Sequence, residues 1–305
     1  MSLNPAVSAI IIFLNEEKFL GEAIESVIAQ TSTDWELLLV DDGSTDESPR
    51  IAEDYSNRYP GKIKYLTHPE NQNRGMSASR NLGIKHARGT FISFLDGDDV
   101  WRTNKIERQV QLLRENPEAV MAYGQIELWY SWTGEPDDLN RDLQYGLVAP
   151  GFQLDPNRTL QPPELLRLFL KYKHLIPTGI MIKKDTVLEL GGYEEQFKGN
   201  YEDAVFLAKL CMSHPVYVSD ECWYRYRQHP QSFTKQQREA GTSEKTQAVF
   251  LDWIEAFFKE EGVTDPSLWK SIKAARRTVN FPRFYALLKK LRILNGVIRN
   301  KLLKP

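Results

Sequence analysis

The chain has 305 residues, of which 41% are hydrophobic and 26% charged, with a formal net charge of -2. That balance belongs to a folded globular protein and excludes collagen-like, disordered and disulfide-scaffold classes, and the length allows one large domain or two ordinary ones. Residues 270 to 305 hold eleven Lys or Arg and no Asp or Glu, so the body is acidic, which argues against a nucleic-acid-binding core and gives the basic tail a surface role.

In chain order the first half alternates. Val7 to Phe13 is a continuous apolar run rich in β-branched residues, as a buried parallel strand requires. Leu20, Ile24, Val27 and Ile28 then share one helical face. Trp35 to Val40 reads as a second buried strand, 46 to 57 as a helix, and Ile63 to Leu66 as a third strand. Gly75 to Ala87 follows as a helix and Thr90 to Leu95 as the fourth strand. Ile106, Val110 and Leu113 mark another helix, capped by Thr103 or Asn104. Asp99 is expected to cap the same helix. Strand and helix alternating at this spacing imply right-handed βαβ units with a sheet covered on both faces.

Beyond Ala119 the pattern loosens. Residues 119 to 130 read as a long strand or half a hairpin. The Pro-, Gly-, Asp- and Asn-rich stretch from Ser131 to Pro163 reads as loops, and binding is one usual reason for an insertion of this length. Short elements follow: a strand near Met181, a helix from Asp185 to Leu190, a helix from Glu202 to Met212, and two strands, Val216 to Ser219 and Cys222 to Arg227. From Ser243 onward the chain reads as helical, with breaks at Asp265-Pro266 and Phe281-Pro282. Cys211 and Cys222 lack metal-ligand spacing and fit a reducing compartment. No signal pattern precedes the first strand, and the longest apolar runs are too short to span a bilayer. The expectation is a cytoplasmic protein.

Ligands of open α/β sheets bind beyond the carboxyl ends of the strands. Here strand one runs into Asn15, strand two into Asp41-Asp42-Gly43-Ser44, and strand four into Asp96-Gly97-Asp98-Asp99. Turn residues end strands in any protein. Two acid-dense ends side by side instead suit a hard divalent cation, because Asp96 and Asp98 can offer oxygen ligands to Mg2+ or Mn2+ while substrate phosphate supplies others. The EF-hand pattern fails at Val100 and Trp101, and P-loop, GxGxxG, HExxH and GxSxG motifs are absent.

Three ordered blocks carry a resemblance. Residues 7–48 (VSAIIIFLNEEKFLGEAIESVIAQTSTDWELLLVDDGSTDES), 74–101 (RGMSASRNLGIKHARGTFISFLDGDDVW) and 191–210 (GGYEEQFKGNYEDAVFLAKL) are similar to the opening, DxD-bearing and acceptor-side segments of family 2 glycosyltransferases. The resemblance covers roughly residues 5 to 235. It implies a GT-A-type, Rossmann-like mixed sheet flanked by helices over residues 1–235, with a donor half (1–115) and an acceptor half (116–235). Residues 236–305 would then form a helical C-terminal extension with the basic tail.

Carried over by position, the resemblance places Ile12, Leu14 and Glu16 beside the nucleoside, Asp41 and Asp42 at the pyrimidine ring, and Arg80 near the donor. Asp96 would contact ribose or metal, and Asp98, with His229, would ligate Mg2+ or Mn2+. Asp203 would be the general base and Glu202 its neighbour. Taken alone, Glu202-Asp203 is an acidic pair at a helix start, Arg80 a solvated helix residue and His229 a structural one. Trp223, Tyr224 and Tyr226 suit strand packing, whereas Trp129 and Trp132, beside the long loop, are the candidate sugar platforms.

The chain departs from the family where a Pro-Thr-Tyr-Asn-type first loop is common, having Ile12-Phe13-Leu14-Asn15 instead. The QxxRW segment of processive relatives has no match, since Gln236-Gln237-Arg238-Glu239 lacks the Trp. Transfer of a single sugar, with inversion, follows as the expectation. The donor would be a UDP- or dTDP-sugar, and the acceptor a glycan or lipid-linked glycan in cell-surface polysaccharide synthesis. The alternatives are a catalytically impaired glycan- or nucleotide-binding relative and a sugar-nucleotide nucleotidyltransferase, although the latter needs a Gly-rich, Arg-bearing loop after strand one. Further expected partners are a second copy of the chain and, through 282–305, the inner membrane face. Packing of that segment on protein is the competing expectation.

Overall fold

The computed structural model describes residues 4–149, 151–172, 175–241 and 243–280. The basic segment 282–305, expected on a membrane or packed on protein, lies outside them. β1 (Val7–Phe13) and β2 (Trp35–Asp41) are buried at every residue. β3 (Ile63–Thr67) forms the sheet edge and buries Ile63 and Leu66 while exposing Lys64 and Thr67. β4 (Phe91–Asp96) is buried up to its final residue, the first aspartate of the acidic turn. The helices α1 (Leu20–Ile28), α2 (Ser48–Arg58) and α3 (Met76–His86) return the chain between these strands. α1 buries Leu20, Ala23, Ile24 and Val27, the spacing of a single helical face.

After β4 come β5 (Val100–Trp101), α4 (Lys105–Glu115) and β6 (Met121–Trp129). The stretch expected as loops carries α5 (Pro136–Leu139), β7 (Leu143–Tyr145), a ribbon of β8 (Val148–Ala149) and β9 (Phe152–Gln153), and β10 (Arg158–Leu160). Strands of two or three residues are too short to show a period of two, so composition alone reads them as turns. Then follow α6 (Glu164–Lys171), β11 (Met181–Lys183), α7 (Lys184–Glu189), α8 (Glu202–Ser213), β12 (Val216–Arg227) and α9 (Phe233–Glu239). The two strands expected over 216–227 are one, interrupted by register shifts between Val218 and Tyr224. A bulge of this kind reads as a turn in sequence because Ser219-Asp220-Glu221 is polar.

β3, β2, β1 and β4 pair in parallel, and the row continues through β11, β6, β12 and β10. β5 joins β12 and β7 joins β6, giving a mixed sheet of ten strands. β11 runs antiparallel to both β4 and β6, and β12 is parallel to β6. The carboxyl ends of β1, β2, β4, β6 and β12 therefore share one edge, where a ligand site is expected.

The chain divides into two compact units, one ending at Glu239 and the other beginning at Ala240. The second contains α10 (Ser243–Glu260) and α11 (Pro266–Asn280). Asp265 caps α11 by accepting the Ser267 N–H at 2.8 Å, a side-chain bond that satisfies a donor the helix cannot. Arg276 of α11 ties back to Asp252 and Glu255 of α10.

One buried charge in the first unit has a measurable consequence. Lys105 is fully buried, and its Nζ donates to Ser93 Oγ at 2.6 Å and Gln109 Oε1 at 2.5 Å while lying 4.3 Å from the centre of the Trp101 ring. Those partners are neutral, and burial drives the amine well below its usual 10.5. In the window between that lowered value and 10.5 the unfolded chain binds the extra proton, so folding stability rises with pH. Lys105→Met removes the titration. The unfolding free energy of wild type relative to the variant should climb by up to about 1.4 kcal/mol per pH unit as pH rises toward 10.5. Urea unfolding at a series of pH values reads this, and a difference flat across the window would show an amine with an ordinary pKa.

Candidate active site

The first two strand ends are locked together. Asn15 takes a left-handed φ of 57°. Its side-chain oxygen accepts the Thr45 N–H at 2.8 Å, and its own N–H donates to Ser44 Oγ at 2.9 Å. Glu16 N–H donates to Ser48 Oγ at 2.8 Å. Asp41 is fully buried and accepts the N–H groups of Gly43 and Ser44 at 3.1 and 2.8 Å and the Tyr65 hydroxyl at 2.9 Å. Asp42 accepts the N–H groups of Arg74 at 2.8 Å and Gly75 at 3.0 Å. Gly43 has φ +90°, and a Cβ there would meet the Asn71 oxygen at 2.8 Å, so the turn lies against the following loop only with glycine. Both carboxylates thus fix the loops at this sheet edge through bonds to their backbone. Of the other expected donor contacts, Ile12 is buried and Leu14 is 39% exposed. Phe13 is buried and stacks on Tyr65 at 6.5 Å.

The acidic turn after β4 rests on β1. Gly97 N–H donates to the Ile12 carbonyl at 3.0 Å, and a Cβ on Gly97 would sit 2.8 Å from that of Phe13. This close approach explains a glycine between two aspartates. The Asp96 side chain is 45% exposed, whereas Asp98 is largely covered and places Oδ2 3.0 Å from His229 Nε2. The structure therefore pairs Asp98 with His229, while Asp96, at the start of the same turn, is paired with Arg80.

Asp99 does not cap α4, as expected from the sequence. It is buried, accepting the Tyr224 hydroxyl at 2.6 Å and the Arg227 N–H at 2.8 Å. The preceding turn carries it toward β12 rather than along α4, whose first turn has no side-chain cap at Asn104.

Arg227, which the sequence reading did not single out, pins the same turn. It is buried, donating from Nε to the Asp98 carbonyl at 2.7 Å and from Nη2 to Glu22 Oε2 at 2.5 Å. Its guanidinium carbon lies 4.7, 4.5 and 5.2 Å from the ring centres of Phe19, Trp129 and Trp132. The available signal was an arginine in an aromatic strand two residues before the candidate histidine; its partners lie far away in sequence. Trp129 is consequently no sugar platform, being buried beneath Arg227 and Arg225. Trp132 is half-buried, donates its ring N–H to the Gln228 carbonyl at 3.0 Å, and stands edge-on to Phe19 and His229.

The opposite wall comes from α3 and the start of α8. Arg80 donates from Nη1 to Glu202 Oε1 at 2.9 Å and from Nη2 to Asp96 Oδ1 at 3.1 Å. Glu202 and Asp203 open α8, where the exposed N–H groups favour negative charge. Asp203 Oδ1 accepts the Ala204 N–H at 2.6 Å. Burial and Asp203 push Glu202 up to about 7, and burial also raises Asp203. Partial burial, with Asp98, Asp96 and Asp46, pushes Glu16 up to about 8. Carboxylates that raise a neighbour in this way, as at Glu16 and Glu202, form a site that gains from added positive charge.

This sheet, with acidic turns along its carboxyl edge facing a second acidic pair, is that of the GT-A glycosyltransferases. The chain belongs to glycosyl transferase family 2, whose family model matches residues 8–189, and is an enzyme of the hexosyltransferase type. It is 30% identical over 267 residues to the uncharacterized glycosyltransferase EpsJ of Bacillus subtilis, an alignment covering 85% of this chain and 71% of EpsJ. It is 38% identical over 122 residues, 40% of this chain and 46% of the relative, to the Escherichia coli UDP-Glc:alpha-D-GlcNAc-diphosphoundecaprenol beta-1,3-glucosyltransferase WfgD. Among solved structures it resembles the mannosyltransferase PcManGT from Pyrobaculum calidifontis in complex with GDP-Man and Mn2+. That likeness has a TM-score of 0.59 at 15% identity and covers 98% of this chain and 76% of the other, so it bears on the fold.

Proposed function

We propose that the enzyme moves one sugar from a nucleoside-diphosphate sugar, UDP- or dTDP-linked, to a hydroxyl of a glycan or lipid-linked acceptor. The transfer inverts the anomeric centre, depends on Mg2+ or Mn2+, and serves polysaccharide synthesis. One observation carries the reading: Asp96 and Asp98 on one side and Glu202 and Asp203 on the other meet at a single sheet edge, bridged by Arg80. WfgD, which by its name uses UDP-Glc and a diphosphoundecaprenol-linked sugar, supports the donor and acceptor classes. The PcManGT complex with Mn2+ supports the cation.

The residues present fit a cation. Asp98 Oδ2 and His229 Nε2 lie 3.0 Å apart, and Asp96, two residues before Asp98 in the same turn, has a part-exposed side chain. Among the described residues no group of three or more His, Cys, Asp or Glu forms a self-contained metal site. Diphosphate oxygens would therefore complete the shell, as is usual for Mg2+. A bound cation supplies stabilisation of the charge that develops on the leaving diphosphate. Asp41, Asp42, Ile12, Leu14 and Glu16 border the nucleoside, and Asp96 meets ribose or cation. Asp203 takes the proton of the acceptor hydroxyl. Attack from the Asp203 side, away from the leaving diphosphate, inverts the sugar.

A panel of UDP-, dTDP- and GDP-sugars, assayed with EDTA, Mg2+ or Mn2+, tests the reading. We expect turnover of a pyrimidine-nucleotide sugar that EDTA abolishes and Mn2+ restores. Binding without turnover of any donor would favour an impaired relative, and pyrophosphate release from a nucleoside triphosphate a nucleotidyltransferase; either overturns it.

A further inference from the structure

We infer that Arg80 braces the donor and acceptor halves of the site rather than contacting the donor, and that Glu202 is the anchor of this brace, leaving Asp203 as the single base. The inference deepens the proposed function and rests on it. Arg80 is 7% exposed, and its two outer nitrogens are already bonded to carboxylates 106 residues apart in sequence, Asp96 and Glu202. Tyr193 closes over it, its ring centre 5.3 Å from the guanidinium carbon. That ring is itself fixed, stacked on Phe206 at 4.6 Å and edge-on to Phe94 at 5.4 Å. A guanidinium buried beneath a ring and paired with two carboxylates is poorly placed to meet a diphosphate, whereas its planar fork suits spanning two carboxylates in a fixed geometry.

The helix bearing Arg80 is tied to the acceptor segment along the same face. Ser77, Arg80 and Asn81 stand at i, i+3 and i+4, which places them together. Ser77 Oγ donates to the Phe197 carbonyl at 2.6 Å. Asn81 accepts the Tyr193 N–H at 2.9 Å and donates to the Tyr193 carbonyl at 2.8 Å. Gly192 permits the approach, since a Cβ there would lie 2.6 Å from Asn81 Oδ1. α3 therefore sets the distance between the donor turn after β4 and the base at the start of α8. Glu202, whose Oε1 is bonded to Arg80, is spent on that task. Asp203, whose carboxylate accepts the N–H of the neighbouring Ala204, is available to the acceptor hydroxyl.

The test compares wild type, Arg80→Lys, Glu202→Gln and the double variant. Kinetics use the donor that wild type turns over, and urea unfolding is measured on the same four proteins without substrate. For a brace, Arg80→Lys lowers kcat at least about ten-fold with donor KM within two-fold, and Glu202→Gln does the same. The double variant is then no slower than the slower single one, because residues acting as a unit are non-additive. A raised donor KM with kcat retained in Arg80→Lys would mean a diphosphate contact and overturn the inference, as would multiplicative losses in the double variant. If wild type turns over no donor, the proposed function fails instead. The brace is then decided by the unfolding midpoints: non-additive shifts support it and additive shifts refute it.

Discussion

Asp203→Asn should lower sugar transfer by about 10²–10⁴-fold, the usual contribution of a general base, while leaving nucleotide binding within about two-fold of wild type. The amide oxygen can still accept the Ala204 N–H now held at 2.6 Å, so the first turn of α8 survives the change. What disappears is the ability to take a proton from the acceptor hydroxyl. Steady-state kcat at saturating donor and acceptor, with calorimetric binding of UDP and Mn2+, separates the two effects. The wild-type rate should also fall on the acid side, along a limb above the ordinary carboxylate range, because burial raises both members of the Glu202–Asp203 pair. That limb belongs to the pair as a unit. An Asp203→Asn enzyme that transfers at the wild-type rate would place the base elsewhere.

The parts of this architecture that could be read from sequence are those written in local periodicity. The continuous apolar runs of β1, β2 and β4 and the helical spacing of Leu20, Ile24 and Val27 mark their own elements. Once those strands are parallel, Asn15, Asp41 and Asp96 must reach a common edge. What the sequence hid depends on partners far along the chain. Asp96 and Asp99 lie three residues apart, yet one is open at the edge and the other buried against Tyr224 and Arg227 of β12. Trp129 borders a long insertion, the position of a platform, but Arg227 covers it. The strands within 131–163 were invisible because two or three residues carry no period. In sequence Arg80 resembles any helix arginine; its role comes from α3 packing on the segment from Tyr193 to Glu202. Residue type marked the candidates, while tertiary pairing sorted open from committed carboxylates.

The sharpest separation is expected between two adjacent aspartates. Asp98→Asn should weaken Mn2+ binding in the presence of UDP by at least about 10²-fold, since even indirect support of a metal ligand is worth 10–100-fold and a neutral amide is a poorer partner for a hard cation. Folding should be unharmed: the amide can still meet His229 Nε2, now 3.0 Å from the carboxylate, and one charge leaves a crowded acidic cluster. Asp99→Ala should behave in the opposite sense. It strips the Tyr224 hydroxyl and the Arg227 N–H of a buried acceptor and should lower stability by about 2–4 kcal/mol, as leaving buried donors unpaired does. Electron paramagnetic resonance of free Mn2+ and urea unfolding read the two quantities on the same proteins. Intact Mn2+ binding in Asp98→Asn would remove that side chain from the cation site, and unchanged stability in Asp99→Ala would mean that other groups hold the turn against β12.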